Sequence, residues 1–255
     1  MPNHTHSLLK SNLKQLRLPT MGAEFEKLGR EAAAANEDYE QYLLRLTELE
    51  LSARASNAIA TRIRGAAFKV VKDLDTFDFT AVPHLSKPKI LELARCEWID
   101  QHANVCLIGS PGTGKTHLAA ALGLAACRAG KRVRFVTAAT LVTRLEEAQK
   151  QYQLERLRTQ LDKVDLLICD ELGYLSFNQG GAELLFQVFG DRYERRSLLV
   201  TSNLPFGEWS KVFPGERMTA ALLDRLTHNC HIFEMNGESF RFRESMKNKK
   251  PKKSE

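Results

Sequence analysis

No run of about 18 consecutive apolar residues occurs, which is the length a membrane-crossing helix needs. The amino terminus, MPNHTHSLLKSNLKQLRLP, carries basic residues but no apolar core of secretion-signal length. Cysteine is sparse: Cys96, Cys106, Cys127, Cys169 and Cys230 are scattered, and no two form a CxxC pair. Most lie inside apolar runs. That pattern argues against a disulfide framework or a zinc site and for reduced, buried thiols in a cytoplasmic protein. No internal repeat is visible, which excludes a solenoid. His4 and His6 are too isolated to ligate a metal, and Trp98 and Trp209 sit in apolar patterns that read as packing positions. Neither sign of charge dominates, with 37 Lys and Arg against 31 Asp and Glu and a net charge of +6. A surplus this mild is compatible with a polyanionic partner, and where it sits matters more.

What is present fits a globular chain of 255 residues, 43% hydrophobic and 27% charged, long enough for one large domain or a medium domain plus a small one. Residues 1–75 read as helical. Tyr39, Tyr42, Leu43, Leu46, Leu49, Ile59, Ile63 and Phe68 recur at three- and four-residue steps, the spacing of an amphipathic helix. Asn36, followed by Glu37 and Asp38, reads as its N-cap. Gly65 and a change of phase predict a break between two helices. Residues 76–88, with Pro83 and Pro88, read as a linker. From residue 89 to 240 helices alternate with short apolar runs. The helices expected are 89–101, 115–129, one long helix 140–161, 181–195 and 217–226. The strands are NVCLIG, KRVRFVTA, DLLICDE, SLLVTSN and CHIFEM. Such alternation predicts a parallel sheet covered on both faces. Residues 241–255 form a basic tail.

Gly109, Gly114, Lys115 and Thr116 in GSPGTGKTHLAAAL match the G-x-x-x-x-G-K-[ST] pattern, after a strand and at the mouth of a helix. Chance gives this pattern in roughly one chain in a hundred of this length. Glycines let the backbone bend so that N–H groups converge on phosphate oxygens, and the helix start adds partial positive charge. Lys115 is expected on the β and γ phosphates and the Thr116 hydroxyl on magnesium. The strand LLICDE ends in two acids. Asp170 is expected to hold magnesium, and Glu171 to orient and deprotonate an attacking water. Asn203 closes the strand LLVTSN, where its amide can bond the γ-phosphate or the water. Arg225 lies in LLDRLTH, on a helix before the last strand. It can complete a neighbour's site as an arginine finger or be an ordinary exposed helix arginine.

In this order these elements resemble the AAA+ ATPases, and more finely the helicase-loader and DnaA-like branch and its IstB family, the ATP-binding helper proteins of bacterial insertion sequences. The resemblance rests on FDF at 77–79, GSPGTGKTHLAAALG, DLLICDELGYL, LFQVFGDRYERRSLLVTSNLPFGEW and AALLDRLTHNCHIFEMNGESFR. It covers about residues 35–243. It implies an α/β fold: an AAA+ P-loop NTPase parallel sheet with flanking helices, preceded by a small all-helical N-terminal domain that binds DNA or a partner. Too little chain follows the core for the helical lid many AAA+ proteins carry. The resemblance implies a nucleotide site of Gly109, Ser110, Pro111, Gly112, Thr113, Gly114, Lys115, Thr116 and His117, with ATP and Mg²⁺ as ligands. Catalytic roles fall to Glu171, Asn203 and, acting on the next subunit, Arg225. Arg241, in GESFR, lies where a second sensor residue is found in some relatives.

Family members use ATP to assemble on duplex DNA, remodel it and recruit or activate a partner transposase. This predicts a homo-oligomer with ATP sites at subunit interfaces, and no clustered DDE-type triad contradicts a helper role. Arg54, Arg62, Arg64, Lys69 and Lys72 occur with no acid between Arg54 and Lys72, and are the expected DNA contacts, sequence-independent and salt-sensitive. A solvated helix face is the plainer account of the same charges. A replicative helicase loader shares the ATPase core and differs in what its N-terminal domain grips. A small-molecule P-loop kinase leaves TSN and DRLTH without a job.

Overall fold

The structure, a computed structural model, describes residues 4–237 and 239–240. The chain divides into two compact units, Met1–Thr61 and Arg62–Glu255.

The first unit contains α1 (His4–Gln15), α2 (Pro19–Ala35) and most of α3 (Tyr39–Ala66). Leu13, Phe25, Leu28 and Leu46 form its small core, and the Tyr42 hydroxyl donates to the Phe25 carbonyl at 2.9 Å. Asn36 is not an N-cap. It closes α2 in the left-handed conformation, φ 54° and ψ 37°, which asparagine tolerates better than most residues. The cap of α3 is Asp38, whose Oδ1 accepts from Gln41 N at 2.7 Å.

The break expected at Gly65 falls one residue later, where α3 stops after Ala66 and Ala67 turns left-handed with φ 58°, but a 3₁₀ turn at Leu74–Thr76 follows instead of a second helix. Residues 62–75 pack within the second unit rather than with the N-terminal helices, because Ala66, Ile63 and Phe68 join the core beneath the sheet. The stretch read as a linker is also built in. It carries single 3₁₀ turns at Leu74–Thr76 and Phe79–Ala81, and Phe77, Val82 and Leu85 are buried.

The second unit continues with α4 (Lys87–Leu93), α5 (Glu97–Asp100), β1 (Asn104–Ile108), α6 (Lys115–Arg128), β2 (Val133–Thr137), α7 (Ala138–Lys150), α8 (Leu154–Asp162), β3 (Leu166–Leu172), α9 (Gln179–Arg192), β4 (Ser197–Ser202), α10 (Glu216–Thr227) and β5 (Cys230–Glu234). All neighbouring strands pair in parallel, in the order β2-β3-β4-β1-β5. Alternate residues of each strand serve opposite faces. Val105, Leu107, Phe135 and Ile168 pack under α6 with Leu118 and Leu122. Cys106, Ile108, Val136, Leu167 and Cys169 pack on the other face with Leu141, Leu185, Phe189 and Leu222. Each fully buried leucine contributes about 2 kcal/mol of transfer free energy.

Two expected helices are each broken. The 89–101 helix splits at Cys96, φ 66°, and the 140–161 helix splits at Tyr152, φ 57°. Trp98 and Trp209 are buried as expected, their indole N–H groups donating to Leu93 O at 2.9 Å and Leu204 O at 3.2 Å. Cys96, Cys106, Cys127 and Cys169 are buried, and burial pushes the Cys96 and Cys127 thiols up to about 11. Among the described residues no helix is long and apolar enough to cross a membrane.

Candidate active site

Three adjacent strands, β3, β4 and β1, end along one edge of the sheet, where Ser202 pairs with Leu172 on one side and Ile108 on the other. Ligands of open parallel sheets bind at this carboxyl edge, near a reversal of strand order. β1 lies two strands from β3 with β4 between them, so the loop after β1 and the acids of β3 converge around the end of β4.

The loop after β1 bends at Gly109, Gly112 and Gly114, with φ values of 143°, 80° and 93°. Side chains there meet more than torsional strain. A Cβ at Gly109 would lie 2.3 Å from Met235 O, and one at Gly114 would lie 2.9 Å from Phe77 Cε2. Gly114 is the N-cap of α6, whose first-turn N–H groups face the loop without a side-chain cap. Lys115 is buried, and its ammonium donates to Gly109 O and Ser110 O, both at 2.7 Å. Thr113 Oγ1 donates to Ser110 O at 2.9 Å. Residues from Gly112 to His117 line a cavity of about 420 Å³, and Pro111 is exposed outside that lining. His117 lies edge-on to Phe77, its Nε2 3.0 Å from Asp73 O and 3.2 Å from Thr76 Oγ1.

Asp170 is 1% exposed. Its Oδ1 accepts from Thr201 Oγ1 at 2.6 Å and Thr116 Oγ1 at 3.0 Å. Burial pushes its carboxyl above the ordinary carboxylate range. The two hydroxyls pull it back, the Glu171 charge raises it and the Lys69 charge lowers it. The register of β3 against β4 shifts between Cys169 and Leu172, and Glu171 takes φ 61°. In a regular strand neighbouring side chains point to opposite faces. This irregularity instead leaves Glu171 exposed and lining the cavity while Asp170 stays beneath it. Asn203 also lines the cavity, and its buried Oδ1 has no hydrogen-bond partner among the described residues.

These features fit a nucleoside triphosphate with magnesium. The glycine cradle leaves room where a Cβ would intrude, and Asn203 Oδ1 is an unsatisfied buried acceptor on the cavity wall. Thr116 and Asp170 are oxygen donors already within 3.0 Å of each other. Among the described residues no cluster of three His, Cys, Asp or Glu side chains forms a metal cage. Two protein oxygens completed by phosphate oxygens is the usual arrangement for magnesium.

Arg225 is elsewhere. Its guanidinium lies 5.4 Å from the Phe186 ring centroid, among Asn104, Leu198 and Leu222. Asn104 opens β1 and Leu198 is the second residue of β4, so Arg225 is at the opposite ends of the strands from its own phosphate loop.

The basic residues assigned to DNA are dispersed. Arg54 belongs to the first unit and is engaged there, Nε donating to Glu50 Oε1 at 2.9 Å and Nη2 to Arg17 O. Arg62 lies beside Cys127 and Gly130 after α6, and Arg64 is exposed. Lys69 and Lys72 line the same cavity as the phosphate loop. The chain leaves α3 at Ala66 and crosses that cavity, and a helical continuation would have carried both lysines away. Arg241 and the basic tail lie outside the described residues. Thr201, which touches Asp170 and Glu171, was not singled out by sequence reasoning. The only signal was a hydroxyl in an apolar strand.

The sheet order, the glycine loop at β1, the paired acids at β3 and the polar end of β4 define an AAA+ P-loop ATPase. Solved structures of the same fold include a DNA replication initiation factor (TM-score 0.56, 23% identity, 71% of this chain and 56% of that one). They also include AMPPCP-bound DnaA from Aquifex aeolicus (TM-score 0.54, 22% identity, 73% and 59%).

The family model for IstB-like ATP binding proteins matches residues 11–248, and the chain belongs to that family. An insertion-sequence ATP-binding protein of Sinorhizobium fredii is 42% identical, covering 93% of this chain and 80% of its own length. The ATP-binding protein of insertion sequence IS5376 from Geobacillus stearothermophilus is 38% identical, covering 90% and 92%. That of IS21 from Pseudomonas aeruginosa is 36% identical, covering 92% and 89%.

Proposed function

We propose that this ATPase is the helper of an insertion sequence. It assembles in several copies on duplex target DNA, remodels the duplex, and recruits or activates the transposase encoded beside it. The insertion-sequence relatives, which match nearly the full chain, favour this over helicase loading.

Within one subunit, Lys115 and the first-turn N–H groups of α6 bind the triphosphate. Thr116 and Asp170 hold magnesium, which supplies charge neutralisation on the phosphates. Glu171, turned into the cavity, orients water and takes its proton. Asn203 Oδ1 accepts a hydrogen bond from that water. What this set lacks is a cation at the far side of the γ-phosphate, and Arg225 supplies it from the adjacent copy.

The observation that carries the reading is the separation of Arg225 from its own phosphate loop by the length of β1. An arginine placed so can act on a nucleotide only in another molecule.

Mixing variants tests this. Arg225→Ala and Glu171→Gln are each expected to lose ATP turnover by about 10³-fold, in the range seen for finger arginines. Mixed on duplex DNA they recover a measurable fraction, because some interfaces pair an intact Glu171 with an intact Arg225. Failure of the mixture, with both proteins binding ATP, overturns the shared site.

A further inference from the structure

We propose that Lys69 and Lys72 are nucleotide ligands, held over the cavity by a strap running from Phe68 to Phe77. Lys69 reads the terminal phosphate. The proposal rests on the ATP site described above and adds two cations supplied by the same chain.

The strap is pinned at three points. Phe68 packs on Phe135 of β2, ring centroids 5.8 Å apart, and fills space above Gly123 of α6, where a Cβ would come within 2.9 Å of its ring. Asp73 pairs with Arg128 at the end of α6 at 2.8 Å, and its carbonyl meets His117 Nε2 at 3.0 Å. The Arg128 guanidinium holds the Asp73 carboxyl below its usual range. Phe77 is buried against Gly114 and edge-on to His117, centroids 5.3 Å apart.

Between these anchors Lys69, Val70 and Lys72 line the cavity, together with the phosphate loop and Glu171. Among the described residues neither lysine makes a salt bridge, whereas Arg54 and Arg128 do. Lys69 is near enough to Asp170 for its charge to be felt there. Two cations along a cavity lined by Glu171, with Asp170 buried beneath it, suit a polyanion entering with several negative charges of its own. Pinning the strap at both ends means little ordering entropy is lost when they engage. Lysine acts here as a mobile point charge, which is how it serves phosphate sites.

The test measures affinity of the full-length protein for fluorescent methylanthraniloyl-ATP and -ADP with magnesium and without DNA. Lys69→Ala is expected to weaken ATP binding by about ten-fold, the scale of one charge-assisted hydrogen bond. ADP binding changes less, and Lys69→Arg retains most of the affinity. Lys72→Ala weakens both nucleotides. The lysines are exposed, so melting temperatures without nucleotide stay at the wild-type value.

Unchanged nucleotide affinity in the Lys69→Ala, Lys72→Ala double variant, alongside loss of binding in Lys115→Ala, overturns this proposal alone. A fall in duplex-DNA affinity with nucleotide affinity intact does the same and returns the lysines to DNA contact. Full nucleotide affinity in Lys115→Ala would instead overturn the ATP site itself.

Discussion

Thr201 Oγ1 donates to Asp170 Oδ1 at 2.6 Å and accepts from Glu171 N at 2.9 Å, so one hydroxyl on β4 holds both acids at the end of β3. The donor orients a buried carboxylate toward Thr116, and the acceptor secures the irregular backbone that turns Glu171 into the cavity. Thr201→Val keeps the shape and removes both bonds. It is expected to cost about 1–3 kcal/mol of stability and to lower ATP turnover more than ATP affinity. Thr201→Ser retains the hydroxyl and most of the activity. Thermal melts and steady-state turnover measured together check this. A silent Thr201→Val would mean the bulge holds the acids unaided.

Asn203 presents a different balance. Its buried Oδ1 has no partner among the described residues, so its solvation is lost without return in the protein alone. Asn203→Ala is expected to leave melting temperature unchanged or raise it. It should lower turnover by about 10²-fold, as loss of one preorganised polar contact does, with ATP affinity little altered. Nucleotide titration and single-turnover hydrolysis separate these quantities. A loss of stability would assign the amide a packing role.

Glu50 of α3 governs the acid response of the N-terminal helices. Leu18 gives α2 no side-chain cap. Glu50 Oε2 takes that place, accepting from Thr20 N at 2.8 Å and Met21 N at 3.1 Å. Burial alone would raise the Glu50 carboxyl, but the bonds from Met21, Arg54 and Thr20 outweigh it and hold the group below 4.5. A carboxyl lowered on folding stabilises above its unfolded value and loses that contribution as pH falls through the folded one. Helical signal is therefore expected to lose thermal stability below about pH 4.5, and Glu50→Gln to be less stable at pH 7 but flatter on acidification. Arg54→Ala should also lower the melting temperature without DNA, because Arg54 supports Glu50. Circular dichroism melts across pH test this.

How much of the site was legible follows from where each signal resides. The phosphate loop, Asp170, Glu171 and Asn203 were readable because their chemistry needs particular residue types at fixed spacing beside a strand. The helix breaks at Cys96 and Tyr152 were not. Each is a non-glycine residue in the left-handed region, a conformation imposed by packing and unmarked by composition. Leu154, Leu157 and Leu161 join the core only because the chain turns before them. The charge run from Arg54 to Lys72 likewise looked like one surface. In the structure Arg54 lies against Glu50, Arg62 near the end of α6, and Lys69 and Lys72 along the cavity, since charge pattern records sign but not position.

By itself the sequence determined that strands alternate with helices, that a triphosphate cradle opens α6, and that two acids end β3. Periodicity and motif are local, and a few neighbouring residues suffice to enforce them. Only the tertiary structure decided that β4 lies between β1 and β3, which brings Thr201 and Asn203 to the centre of the site. It also set Arg225 at the far ends of the strands and drew the strap with Lys69 over the cavity. Strand order and the path of a non-helical segment depend on which apolar faces bury each other across long stretches of chain. That competition is settled by packing of the whole sheet and leaves no mark at any single position.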